Sequence, residues 1–276
     1  ATITNVNISG SSQNGISLVN TTGTQSLTDL VIDTVGTNGI NLSNAGIASI
    51  TGATTINNTG ANGILSTNTN LTVASAAIGT TGAVAGSGIV VNNTDGTSRT
   101  FSLSSTNLGT GLLNIGDRGV VLSSTGAGTL TANLDSTSIF STNGSLVTTD
   151  SGTAKQLVMS LGATGNMQFN RSSAGFAVDV TGSALNSTIV QSLGATTSNM
   201  TVTGGGVHFN RVTFDGSGAA LTGTQTQAGN WTIGTPGNRV QGDGLRFDGP
   251  TGDLLFNSMN IANDNGTGLY VDTKTL

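Results

Sequence analysis

A short motif returns along this chain at a fixed step. Asn14-Gly15-Ile16-Ser17-Leu18 comes back as Asn38-Gly39-Ile40-Asn41-Leu42 and again as Asn62-Gly63-Ile64-Leu65, each time after 24 residues. A second apolar position, Ile8, Ile32 and Ile56, keeps the same step. Two independent positions sharing one period over three turns point to a repeat architecture, in which each unit buries its apolar face against its neighbours. The step leaves room for three short strands and three turns, and it is too short for a propeller blade of about 40–50 residues.

The marker continues through Gly88-Ile89-Val90-Val91, Gly119-Val120-Val121-Leu122, Gly144-Ser145-Leu146-Val147 and Gly175-Phe176-Ala177-Val178. It then appears as Gly206-Val207-His208-Phe209, Gly244-Leu245-Arg246-Phe247 and Gly268-Leu269-Tyr270-Val271. Between the markers lie further alternating runs such as Leu27 to Ile32, Leu71 to Val73, Phe101 to Leu103, Leu157 to Leu161 and Leu254 to Ile261, separated by Gly, Asn, Ser and Thr clusters. Short alternating runs bounded by such clusters are strands and turns. The expected fold is all-β: a right-handed, single-stranded parallel β-helix, a three-sided solenoid of about ten coils. Residues 1–276 form one domain, a rod of roughly 48 Å at about 4.8 Å per coil.

Stacked coils would place Ile8, Ile32 and Ile56 in one aliphatic column, and Asn14, Asn38 and Asn62 in a side-chain amide ladder. Gly or Asn ahead of each marker strand is expected to supply a left-handed backbone at the corner. Insertions are expected to bulge from corners without breaking the stack.

Composition agrees with this fold. Charged residues are 8% of the chain and none is Glu, while Gly numbers 42. Average soluble proteins carry roughly 25% charged residues, so solubility rests here on hydroxyl and amide groups. Few strong helix formers and many β-branched residues disfavour helices. Periodic apolar residues, 35% of the chain, supply a core that a disordered tract lacks. A net charge of -5 without basic runs gives no electrostatic footprint for nucleic acid. No apolar run is long enough to insert this segment in a membrane, and the first residues do not form a signal peptide.

The pattern Leu-Thr-x-Leu-Val-Ile-Asp-x-x-Gly-x-Asn-Gly-Ile-x-Leu at 27–42, echoed along the chain, resembles the parallel β-helix repeats of pectate-lyase-like proteins. It is also similar to the passengers of bacterial autotransporters and haemagglutinin-type adhesins. The Thr/Ser/Asn/Gly-rich composition without Glu or Cys is closer to the secreted surface proteins than to the lyases. The resemblance implies a fold first, and an extracellular or cell-surface location.

Enzymatic function has to be argued from a site. His208 is the only histidine, and alternation within its strand puts it on the outer face, opposite Val207 and Phe209. The expectation is a solvent-facing residue. Asp243, Asp248 and Asp253 with Arg239 and Arg246 form the only dense charge cluster; an exposed, salt-linked surface is expected there. A lyase or hydrolase would need that cluster to line a groove with two carboxylates at a defined separation. Asp95-Gly96 and Asp215-Gly216 are expected to be turns. The stretch Gly79 to Gly88 lacks the Lys-Ser/Thr ending of a phosphate loop, and calcium-binding Gly-Gly-x-Gly-x-Asp repeats do not occur. Thr-x-Thr pairs at Thr2/Thr4 and Thr201/Thr203 are not expected to recur at the coil period. Asn-x-Ser/Thr triplets, as at Asn7, Asn20, Asn41 and Asn230, follow from composition. No catalytic, cofactor-binding or metal-ligating residue is therefore assigned, and no cofactor is expected.

A solenoid ordinarily needs polar caps. The chain opens in Thr2-Ile3-Thr4, stops soon after Tyr270-Val271-Asp272, and shows no such cap. The expectation is a segment of a longer repetitive protein, or subunits stacked end to end in a fibre. Expected partners are other copies of the chain or flanking repeats, with host or cell-surface glycans or proteins on the outer faces. The function expected is structural or adhesive, in a large secreted or surface bacterial protein. The alternatives are a polysaccharide lyase or hydrolase, and phage tail-fibre material.

Overall fold

A computed structural model of the chain describes residues 1–110, 115–219 and 222–273. Among these the fold is an all-β parallel solenoid of about nine turns. Ten parallel strands form one face, from Ile16–Val19 through Ile40–Ser43 and Ile64–Thr67 to Leu245–Asp248 and Leu269–Asp272. Each of these strands holds one of the ten sequence markers, so ten rungs enclose about nine turns. The other two sides are hydrogen-bonded into a twenty-stranded sheet, and a two-stranded sheet pairs Val240–Gln241 with Asn263–Asp264.

The register is the sequence period made spatial. Ile16 lies opposite Ile40, Ile40 opposite Ile64, and Ile64 opposite Ile89. Ile8, Ile32, Ile56 and Ile78 stack in the same way on a second side. These inward residues are almost fully excluded from water in the middle coils, and each buried Ile or Leu contributes about 1.5–3 kcal/mol of transfer free energy. Towards the later coils the columns become aromatic. Phe209 stacks on Phe247 with centroids 5.6 Å apart, and Phe214 meets both edge-on.

The corners depart from the expectation in an instructive way. Eight of the ten marker glycines are not left-handed; only Gly144 and Gly175 have positive φ. Gly39 is required because a Cβ there would lie 2.4 Å from Ile56 Cγ2 and 2.7 Å from the Gly63 carbonyl oxygen. The left-handed residues other than glycine stand elsewhere, among them Asn20, Asn44 and Asn68 just after the marker strands, and Asn5, Asp29, Ser75, Ser105 and Ser136 at the bend between the other two sides. Short polar side chains suit these positions because they bond locally and offset the strain. Asp29 Oδ1, for example, accepts the Ala53 N–H at 2.7 Å.

The amide ladder forms as expected. Asn38 Nδ2 donates to Asn14 Oδ1, and Asn62 Nδ2 donates to Asn38 Oδ1, both at 3.0 Å. Other side chains then take over the same corner. Ser87 N–H donates to Asn62 Oδ1, Ser87 Oγ to Asp117 Oδ2, and Asn143 Nδ2 to Asp117 Oδ1. One polar seam thus runs along the rod beside the apolar columns.

Candidate functional site

Alternation along a strand sends every second side chain of the ten-stranded face outward. One such row, read along the axis, is Ser17, Asn41, Leu65, Val90, Val121, Val147, Asp179, His208, Arg246 and Tyr270. It begins polar, becomes aliphatic over four rungs, and ends in a cluster of charged and aromatic side chains.

His208 is at the centre of that chemistry. Its Nδ1 lies 3.0 Å from Asp179 Oδ1 on the preceding rung, and its Nε2 lies 2.9 Å from Asp248 Oδ2 on the following one. Carboxylate oxygens only accept, so both ring nitrogens must donate and the ring is an imidazolium when both bonds are made. Phe176 stacks on the imidazole with centroids 4.7 Å apart, and the His208 side chain keeps only 14% exposure. The residue does point outward, as alternation requires, but it is enclosed rather than solvent-facing.

Burial works against charge on this ring. The hydrogen bonds and charges of Asp179 and Asp248 outweigh it and raise the His208 pKa above its ordinary 6.5. Partial burial likewise opposes charge on Asp248, yet Arg246 and then His208 hold its carboxyl below the usual 3.8. Arg246 donates through Nε to Asp248 at 2.7 Å, reaches Asp243 at 3.3 Å, and lies 4.7 Å above the Tyr270 ring. Phe176, His208, Arg246 and Tyr270 therefore set planar groups on successive rungs, with carboxylates at their flanks.

The expected cluster at 239–253 is only partly one cluster. Asp243, Arg246 and Asp248 come together as a salt-linked surface. Arg239 instead faces Asp264 at 3.7 Å, and Asp253 sits in the turn between strands Thr251–Gly252 and Leu254–Ile261. Sequence reasoning missed Asp179. Arg246 and Tyr270 occupy the marker position equivalent to His208, but the pairing is displaced there by two residues, one of them at a bulge between Phe176 and Val178, and puts Asp179 in that position instead of Ala177.

Both expected Asp turns form. Asp95 accepts the Thr97 N–H and pairs with Arg99 at 2.9 Å. Asp215 is 1% exposed and accepts bonds from Ser217 and Thr222, and Ser217 foremost pushes its pKa down to about 2. The Thr-x-Thr pairs do not recur as pairs: Thr4, Thr28 and Thr51 lie in register over three rungs, but Thr2 is followed by Ser26 and Ser49. Among the described residues no three His, Cys, Asp or Glu side chains are placed to hold a metal ion, and no helix is long and apolar enough to cross a membrane.

The chain matches no protein-family model, no curated protein and no solved structure. Its function is therefore argued from the geometry above.

Proposed function

We propose that the chain is a structural and adhesive segment of a large secreted or cell-surface bacterial protein. The observation that carries this reading is the outer side of the ten-stranded face. The partly buried aliphatic row Leu65, Val90, Val121 and Val147 runs over four successive rungs, beside a row of Thr67, Asn92, Ser123 and Thr149. A rigid, patterned strip of this kind suits contact with another extended surface. The coil-to-coil hydrogen bonds lie along the axis, so such a rod also serves as a spacer.

The His208 group fits the same reading. Both imidazole nitrogens are taken up by carboxylates, and Arg246 secures Asp248 as an anion, so the carboxylate needed as a proton donor in glycoside hydrolysis is held charged. The group ties rungs together.

Immobilised protein presented to a panel of cell-surface glycans and proteins tests the adhesive role, with Val121→Asp as the altered strip. Binding that Val121→Asp weakens at least tenfold is the expected result. Incubation with acidic and neutral polysaccharides tests the rival enzyme reading; turnover abolished by Asp248→Ala would overturn the structural one.

A further inference from the structure

One of the two sides outside the ten-stranded face carries two outward rows of uncharged polar residues through its interior coils. The first row, in register along the axis, is Asn107, Ser138, Gln168, Thr201, Thr232 and Asn260. The second stands two residues earlier on the same strands and holds Asn166, Asn199, Asn230 and Ser258. The residues between the rows, Met167, Met200 and Trp231, point inward and are buried. Above Met167 a groove of about 290 Å³ opens between the rows, walled by Ser138, Asn166, Gln168, Asn199 and Thr201.

Three carboxamides around this groove are held in one orientation by the neighbouring rungs. Asn166 Oδ1 accepts the Asn199 N–H at 2.8 Å, Gln168 Oε1 accepts the Ser138 hydroxyl at 3.4 Å, and Asn199 Oδ1 accepts from Asn230 Nδ2 at 3.4 Å. A carboxamide whose oxygen is engaged in this way offers its NH2 group as a donor. Among the described residues none of the three NH2 groups has a hydrogen-bond partner, and all three side chains are exposed. The groove is thus rimmed by free donors fixed by the fold, with the Ser138 and Thr201 hydroxyls beside them.

From this arrangement we infer that the groove binds a neutral glycan chain lying along the rod axis. The inference deepens the adhesive reading above and rests on it, but it uses a different side of the rod from the aliphatic strip. Three observations select this ligand. No Asp, Glu, Lys or Arg lines the groove, and Arg171, at the end of the strand that carries Gln168, is turned away to Ser173 and the Phe176 carbonyl, so nothing there neutralises a charged ligand. The strands beneath the groove pair on both edges with the coils before and after them, so an extended peptide finds no free backbone edge to join. Sugar hydroxyls need none: they accept from the three NH2 groups and donate to the Ser138 and Thr201 oxygens. Successive rungs are about 4.8 Å apart, close to the length of one pyranose ring in an extended chain, so the rows can meet successive sugars. Each contact is weak on its own, and a polymer engages several at once.

Affinity electrophoresis of the whole chain through gels containing dextran, galactomannan, a mixed-linkage β-glucan or a galactan tests this, with polygalacturonate and heparin as acidic arms. Retardation by at least one neutral polysaccharide, insensitive to added salt, is the expected result. Gln168→Glu and Asn199→Asp keep the shape and the engaged oxygen of each side chain but replace the donating NH2 by an acceptor. Each is expected to weaken binding about tenfold, with circular dichroism confirming an unchanged fold, while Val121→Asp leaves it intact. No retardation by any neutral polysaccharide, retardation by the acidic ones alone, or equal retardation of wild type and both variants would each overturn the site. A loss confined to Val121→Asp would also overturn it, while leaving the adhesive reading in place on the aliphatic strip.

Discussion

His208 Nε2 lies 2.9 Å from Asp248 Oδ2, linking residues 40 positions apart in the chain. The same ring reaches back to Asp179, 29 positions earlier, so one side chain joins three successive rungs. Arg246, Asp243, Tyr270 and Phe176 complete its surroundings. In the folded protein the ring holds its proton more tightly than in the unfolded chain. Its stabilising contribution is therefore complete below 6.5 and is lost as pH rises through the higher folded value. Asp248 behaves oppositely, contributing fully above 3.8 and losing its contribution as pH falls through the lower folded value. The group is strongest between those limits. Comparing urea unfolding of the wild type and His208→Gln should show a gap of about 1–2 kcal/mol near pH 5.5 that shrinks towards zero by about pH 9. A gap independent of pH would contradict the imidazolium assignment.

The fold requires glycine at positions 39 and 10 for different reasons, and alanine separates them. At Gly39 the added methyl meets Ile56 and the Gly63 carbonyl, whereas at Gly10 nothing lies within 4 Å but φ is +73°. Gly39→Ala is expected to cost about 2–3 kcal/mol through overpacking, and Gly10→Ala about 1 kcal/mol through backbone strain. Denaturation midpoints of the two variants check the order.

The middle of the amide ladder is more sensitive than its start. Asn38 donates to Asn14 and accepts from both the backbone and the side chain of Asn62. Asn38→Ala removes a donor and an acceptor at once and should cost about 2–3 kcal/mol. Hydrogen exchange should show the Asn62 amide losing protection first.

Ser66 interrupts an aliphatic column between Leu42 and Val91. Its side chain is fully buried and its hydroxyl has no hydrogen-bond partner in the protein. Ser66→Val is expected to stabilise the rod by about 1 kcal/mol, measured as a higher denaturation midpoint. Equal or lower stability would mean that the site has no room for the two methyl groups.

Much of the fold was legible in the chain because its signals are local and repeat. The Ile8, Ile32, Ile56 spacing and the marker glycines gave the period, and ten markers correspond to ten strands of one face. The role of those glycines was not legible. Gly15 and Gly39 look like turn residues beside Asn, yet their small size answers to Ile32 and Ile56 one rung away on another side. The candidate site was half legible: His208, Arg246 and Tyr270 share a marker position, but Asp179 enters through a bulge that no spacing announces.

The sequence by itself determined the repeat, the inward columns and the all-β character, because exclusion of apolar side chains from water acts on every coil alike. Tertiary structure alone decided which outward groups meet. Asp179, His208 and Asp248 are neighbours only after the intervening insertions have been looped out and the register has moved by two residues from the marker alignment. Charges and hydrogen bonds act over a few ångströms, so they answer to that final register and not to the period that produced it.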